Sequence, residues 1–184
     1  VDDIGNDLFT FKLNYNTTDM PGSVALFNGN ISSTSWSTAN VDNSIKKYSY
    51  LYDDLNRITS AVFSMPLQTG RYSLNNVSYD KNGNITYLSR NGYSGSWTFG
   101  VVDNLVYTYG TGNKLLKVVD NGTFYKDQGF KDGNTSGNDY VYDANGNMTK
   151  DLNKGISAIS YNHLNLPTYI SFYPSPVSYT HLRA

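Results

Sequence analysis

The chain contains no cysteine. That excludes a disulfide framework, a thiolate zinc site and a cysteine nucleophile, and it leaves the compartment open. Histidine is nearly absent too: there are 2, and one of them, His181, falls in a C-terminal stretch set aside below. His163 has no Cys and no second His near it in sequence, so it cannot build a common zinc site, and no Ser/His/Asp triad is legible around it. We read it as a loop residue. Charge is sparse and balanced, with 14 Lys+Arg against 15 Asp+Glu and a net charge of −1. Such a surface offers no electrostatic case for nucleic acid or an anionic membrane. Lys46-Lys47, the lone adjacent basic pair, reads as a solvated strand face. No apolar run approaches the roughly 18 residues that span a bilayer. Sustained i, i+3, i+4, i+7 spacing is missing as well, so helix should be negligible.

What the chain has in excess is tyrosine and asparagine: 17 Tyr and 23 Asn in 184 residues, with aromatics at 15%. Tyr favours strands and Asn favours turns with positive φ, so both point to an all-β chain, and this much aromatic surface argues against disorder. The two residue types also recur in a pattern. Asn28-Gly29-Asn30-Ile31-Ser32, Asn82-Gly83-Asn84-Ile85-Thr86 and Asn145-Gly146-Asn147-Met148-Thr149 are three copies of one phrase. The last two follow Tyr-Asp at a fixed offset, as Tyr79-Asp80 and Tyr142-Asp143. Asn-Gly supplies the positive φ that a tight hairpin turn needs, and the flanking Tyr and Ile/Met suit strands. A recurring hairpin is the mark of a repeat architecture.

Looser copies extend the pattern. Tyr52-Asp53 with Asn56-Arg57-Ile58 keeps the Tyr, the Asp and the apolar residue, whereas Tyr109-Gly110 loses the Asp and Tyr161-Asn162 replaces it. The anchors Tyr52, Tyr79, Tyr109, Tyr142 and Tyr161 are separated by 27, 30, 33 and 19 residues. Unequal steps imply hairpins of a common core joined by loops of variable length, where a solenoid would repeat evenly.

Read as strands, Leu8 to Tyr15 alternates, and Val24–Phe27 with Ile31–Trp36 forms a short hairpin across Asn28-Gly29-Asn30. Ile45–Tyr52 pairs with Arg57–Met65, closed by Pro66. Tyr72–Asp80 pairs with Asn84–Arg90, and Asn91–Gly95 is a Gly-rich connection leading to Trp97. Asn104–Tyr109 pairs with Lys114–Val119, Asp139–Asp143 with Asn147–Leu152, and Ile156–Tyr161 with Thr168–Phe172. Residues 120–138 form the longest irregular stretch. Tyrosines one residue apart, as in Tyr50-Leu51-Tyr52, share a face and are expected to stack on cross-strand partners as a ladder.

With these residues in hand, the chain resembles the bacterial Rhs/YD-repeat family, whose signature is Tyr-Asp, a turn, Gly-Asn or Asn-Arg, then an apolar residue. Tyr52, Asp53, Asn56 and Arg57 match it, as do Tyr79, Asp80, Gly83 and Asn84, and Tyr142, Asp143, Gly146 and Asn147; the copies at Tyr109 and Tyr161 depart at the Asp. The match runs from about Ile45 to Phe172, with weaker support from Leu8 to Trp36. The stretch from Asp143 to Leu166 looks like the segment just upstream of the Rhs-associated core. The resemblance implies consecutive antiparallel β-hairpins in one curved sheet, part of a larger YD-repeat shell. The domain reading is then a degenerate β-repeat region over 1–44 and a YD-repeat sheet over 45–175. The implied function is non-catalytic: a wall segment enclosing a C-terminal toxin or effector in a large exported protein, secreted or at the cell surface. Its partners would be flanking repeats and that C-terminal domain of the same polypeptide. The alternative is an adhesin-like module presenting Trp36, Trp97 and tyrosines to surface glycans.

Three further patterns are weighed and set aside. Asp80 and Asp143 open a sequence like a calcium loop, but Gly falls at position four instead of six, and position twelve is Asn91 or Lys154 where a Glu is needed. Gly110-Thr111-Gly112-Asn113-Lys114 lacks the Gly-Lys-Ser/Thr ending of a phosphate loop. The Asn-x-Ser/Thr sequons follow from composition. No catalytic residue, cofactor or metal ligand is assigned. The chain opens Val1-Asp2-Asp3-Ile4 without an initiating Met and is read as an internal fragment. Pro176 to Ala184 resembles a translated transposon-end sequencing adapter, a non-native tail excluded from functional reasoning.

Overall fold

The computed structural model describes residues 7–20, 22–39, 42–95, 97–122 and 128–173, together with the backbone of 178–179. Strand takes 53% of the chain and helix 4%, so the fold is all-β. The strands are β1 (Phe9–Asn14), β2 (Ser33–Thr38), β3 (Lys46–Tyr52), β4 (Ile58–Met65), β5 (Gln68–Thr69), β6 (Leu74–Tyr79), β7 (Ile85–Gly95), β8 (Thr98–Tyr109), β9 (Leu115–Asp120), β10 (Tyr140–Tyr142), β11 (Met148–Asp151), β12 (Ile156–Tyr161), β13 (Pro167–Phe172) and β14 (Ser178–Tyr179). Helix is confined, among the described residues, to two 3₁₀ turns at Thr111–Asn113 and Leu152–Lys154.

Every pairing is antiparallel, and the strands lie side by side in chain order apart from β5, a short flap on β4. One consequence is that the short turns 53–57, 80–84, 110–114, 143–147 and 162–166 all fall on one rim of the array, and the connections that join successive hairpins from β3 onward fall on the other. At this level the repeat reading holds. The expected single sheet, however, is divided in two: β1 to β9 form one ladder and β10 to β14 another. Between β9 and β10 the strand ladder gives way to single bonds, among them Asp139 N–H to the Leu116 carbonyl at 2.8 Å. The β4–β6 junction is almost as thin, with Ala61↔Leu74 as its one registered pair.

Two local expectations need correction. The hairpin of Val24–Phe27 with Ile31–Trp36 does not form. The turn is present, with Gly29 at φ 88°, but β2 pairs with β1 over Asn14↔Ser33 to Phe9↔Thr38 and with β3 on its other side. Two full ladders outweigh one short one. Residues 17–20 instead lie on the serine-lined face of β2, where Asp19 accepts from Ser33 Oγ at 2.9 Å and Ser35 Oγ at 3.2 Å, Met20 is buried, and Lys47 Nζ donates to the Asp19 carbonyl at 2.9 Å. Second, Asn91–Gly95 is strand and not a connection: β7 runs through Gly95 and pairs with β8. Gly92 serves close approach, since a Cβ there would sit 2.9 Å from Val102 Cγ2.

The domain boundary read at 44/45 falls in the connection between β2 and β3, which pair with each other. Of the tail read as Pro176 to Ala184, all but the Ser178–Tyr179 backbone lies outside the described residues; that backbone pairs with β13. The apolar core gathers where the two ladders meet: Leu105, Val118 and Tyr140 are buried, with Leu88, Tyr107, Leu115, Phe130, Tyr142 and Met148 packed on them. Burying side chains of this size contributes about 1.5–3 kcal/mol each.

Candidate functional site

The recurrent feature is the turn rim, and it is built from the Tyr-Asp phrase outward. In the turn that Asp80 opens, the backbone closes with Asp80 N–H on the Asn84 carbonyl at 2.9 Å and Gly83 N–H on the Asp80 carbonyl at 3.2 Å. Gly83 takes φ 88°, which a Cβ would strain. The Asp80 carboxylate then fills the turn: Oδ1 accepts from Asn82 N–H at 2.8 Å and Asn84 N–H at 2.9 Å, and Oδ2 accepts from Asn84 Nδ2 at 2.8 Å. Asp143 repeats this with Asn147 N–H at 2.8 Å and Asn147 Nδ2 at 2.9 Å. Asp53 does so with Arg57, whose N–H gives 2.9 Å and whose Nε and Nη2 both reach Oδ2 at 2.7 Å. Charge-assisted acceptors of this kind are roughly twice as strong as neutral ones.

The carboxyls of Asp53, Asp80 and Asp143 are accordingly held below the ordinary carboxylate value, chiefly by the hydrogen bond from Arg57, Asn84 or Asn147 respectively. The degenerate copies show what each part supplies. Asn162 keeps the Oδ1 role, accepting from Leu164 N–H at 2.9 Å and Leu166 N–H at 3.0 Å, with an amide in place of a carboxylate. At Gly110, which has no side chain to fill the turn, only the backbone bond to Lys114 remains, at 2.8 Å, and Leu116 Cδ1 lies 3.0 Å from where a Cβ would stand.

The five anchoring tyrosines make the link from one hairpin to the next. Tyr52 donates its hydroxyl to the Ile31 carbonyl at 2.9 Å, Tyr79 to Ile58 at 2.7 Å, Tyr109 to Ile85 at 3.0 Å, Tyr142 to Leu115 at 2.9 Å and Tyr161 to Met148 at 2.7 Å. From Ile58 onward the acceptor is always the apolar residue six after the preceding anchor. The motif therefore supplies both halves of the joint: a hydroxyl for the hairpin before it and a carbonyl for the one after. Burial pushes the Tyr52, Tyr109, Tyr142 and Tyr161 hydroxyls above their ordinary pKa. The expected ring ladder forms at Tyr48 and Tyr50, stacked at 6.1 Å, but includes none of the five anchors. Trp36 stacks on Tyr48 at 5.8 Å, and a mostly edge-to-face series continues through Phe63, Tyr72 and Phe99 to Tyr93.

One relation went unread in the sequence: the turns alternate. Those at 28–30, 82–84 and 145–147 carry Asn-Gly-Asn, and each is followed by a turn that holds a left-handed Asn: Asn56, Asn113 and Asn165, at φ 62°, 58° and 58°. The amides of the first kind point at the side-chain oxygen of the second. Asn28 and Asn30 reach Asn56 Oδ1 at 2.7 and 2.9 Å, Asn82 and Asn84 reach Asn113 at 3.0 Å each, and Asn147 reaches Asn165 at 2.9 Å. A cation completes two of the return links. Arg57 Nη1 donates to the Asp80 carbonyl at 3.2 Å, with Arg57 Cζ 4.4 Å from the Tyr79 ring centroid; Lys114 Nζ lies 5.8 Å from that of Tyr142. The signal was available as co-occurrence of Gly with flanking Asn, and of Asn without it, four residues after each anchor.

All the motif residues thus meet on one rim, in bonds to each other. Among the described residues no group of three or more His, Cys, Asp or Glu could hold a metal ion, and no helix is long and apolar enough to cross a membrane. Trp36 is half-buried, while Trp97 is 90% exposed. Compared with known proteins, the chain matches no family model and no curated protein.

Proposed function

We propose that this chain is a non-catalytic stretch of wall from an Rhs/YD-repeat shell that encloses a C-terminal toxin or effector in a large exported bacterial protein. The carrying observation is the five-fold joint of Tyr hydroxyl to preceding carbonyl, which repeats while the intervening sequence changes length and content. A site that acts on a substrate concentrates its chemistry at one place. Here the same hydroxyl-to-carbonyl bond recurs at successive steps across both sheets, which is what a scaffold of like units requires. The Tyr-Asp pairs are then mortar, and the partners are flanking hairpins and the enclosed domain. Electron microscopy of the full reading frame tests this: a hollow closed particle with its C-terminal domain protected from protease is expected. An open, solid or extended particle with that domain freely digested refutes it.

A second reading has one observation in its favour. Tyr72 (46% exposed) and Tyr93 (38%) pack on Phe99, whose ring centroid lies 4.3 Å from the Arg71 guanidinium, and the N–H of Trp97 (90% exposed) lies 3.4 Å from the Tyr93 hydroxyl. Exposed aromatics suit glycan stacking, although the Tyr72–Phe99 and Tyr93–Phe99 ring planes meet at 82° and 70° and form no flat platform. Binding on a glycan array that W97A abolishes would favour a surface adhesin.

A further inference from the structure

The Asn-Gly pairs that shape the rim also carry reactive chemistry, because a glycine amide has no neighbouring Cβ to shield its approach to the Asn side-chain carbonyl. We infer that Asn145 is a site of spontaneous deamidation and isomerisation, set apart from its counterparts by a slack side-chain tether. Asn82 and Asn145 form a matched pair. In both, the glycine N–H is held by the turn's Asp carbonyl at 3.2 Å and the Asp N–H by the second Asn carbonyl at 2.9 Å. Both Asn-Gly pairs are exposed. Their side-chain tethers differ. Asn82 Nδ2 is tethered to Asn113 Oδ1 at 3.0 Å, while Asn145 Nδ2 stands 3.5 Å from Asn165 Oδ1, at the limit of a hydrogen bond. Asn165 is engaged instead by Asn147 at 2.9 Å.

The remaining Asn-Gly pairs are held. Asn28 Nδ2 bonds Asn56 at 2.7 Å and its Oδ1 accepts from Asn30 N–H at 3.1 Å. Asn91 lies within β7, with Nδ2 on the Gly70 carbonyl at 2.8 Å. Beside Asn121, the buried Gly122 N–H is bound to Asp120 Oδ1 at 2.8 Å. A side chain must swing toward the following amide to react, so each tether that has to open slows the reaction.

The step balances without a co-reactant. Gly146 N bonds to Asn145 Cγ, the Cγ–Nδ2 bond breaks, and the amide departs as ammonia with the proton that Gly146 N gave up. Water then opens the cyclic imide at either carbonyl, leaving aspartate or isoaspartate at position 145. A carboxylate there faces the Asn165 side-chain oxygen and shares the turn with the Asp143 carboxylate, so a donor becomes an acceptor where an acceptor already stands. The isoaspartate form also adds a methylene to the turn's backbone and spoils its register.

The test is peptide mass spectrometry of the intact chain during incubation in mildly alkaline buffer. Asn145 should convert roughly fivefold faster than Asn82, the worth of one opened hydrogen bond, and the two should react alike in denaturant. N113G removes the Asn82 tether while keeping a residue suited to φ 58°. It should raise Asn82 to the rate of Asn145 and leave Asn145 unchanged. Equal rates in the folded chain, Asn82 ahead of Asn145, or no effect of N113G on Asn82 would each overturn the inference. None of these outcomes bears on whether the chain is a shell wall.

Discussion

Asp139 does for Val118 what a neighbouring strand would otherwise do: its Oδ2 accepts the Val118 N–H at 2.7 Å, at the seam where the ladder between β9 and β10 is interrupted. The same residue gives its own N–H to the Leu116 carbonyl at 2.8 Å and its carbonyl to Leu152 N–H at 2.8 Å, and Oδ1 takes Asn134 Nδ2 at 3.0 Å. One fully buried carboxylate splices two sheets.

D139A should therefore cost about 2 kcal/mol in urea unfolding, because it strands a buried amide without a partner. D139N keeps a carbonyl acceptor and should lose less. Equal losses for the two variants would show that the seam does not depend on that acceptor.

Tyr142 crosses the same seam with its hydroxyl. Y142F should destabilise by about 1 kcal/mol, the net worth of one hydrogen bond. Y87F is the matched control, since the half-buried Tyr87 makes no hydroxyl bond among the described residues, and it should be close to neutral. If both variants unfold at the same denaturant concentration, the hydroxyl joint contributes nothing.

Gly92 faces Val102, which is 1% exposed, with Cγ2 and Cγ1 at 2.9 and 3.2 Å from a hypothetical Cβ. G92A should cost about 1–3 kcal/mol by overpacking. G100A, on the strand opposite and with open space around its Cβ position, should cost less. A calorimetric comparison of the two separates crowding from the general loss of a strand glycine.

Acid should weaken the rim. The Asp53, Asp80 and Asp143 carboxyls sit below the ordinary value of 3.8, so their contribution is complete above that value and fades as pH falls through their folded values. Melting temperature should stay level down to the ordinary carboxylate range and then drop. The triple variant D53N/D80N/D143N should melt lower at neutral pH and lose less on acidification, Asp19 and Asp42 supplying what slope remains. An unchanged acid slope would place the sensitivity elsewhere.

The fold class and most hairpins were legible because Asn-Gly and Tyr-Asp report local geometry: positive φ at Gly83 and Gly146, and an Asp that fills its own turn. The misreadings at Val24–Phe27 and Asn91–Gly95 share a cause. A turn signal says that the chain bends, but which strands pair afterwards is decided by longer ladders, and β2 had better partners on both sides. Gly92 looked like loop chemistry because crowding by Val102 leaves no trace in a one-dimensional pattern. At the candidate site the anchors were readable one copy at a time. The hydroxyl joint and the alternation of Asn-Gly-Asn with left-handed Asn were not, since both are relations between copies some twenty or thirty residues apart.

The joints that recur all lie on one rim, whereas the opposite connections range from the two residues between Gly95 and Thr98 to the 19 between Asp120 and Tyr140. Length is thus free to vary where no recurrent bond depends on it. An affinity tag or fluorophore spliced into that looser hem would ride along without disturbing the seams, and a gene could gain or lose codons there while every hairpin kept its neighbour.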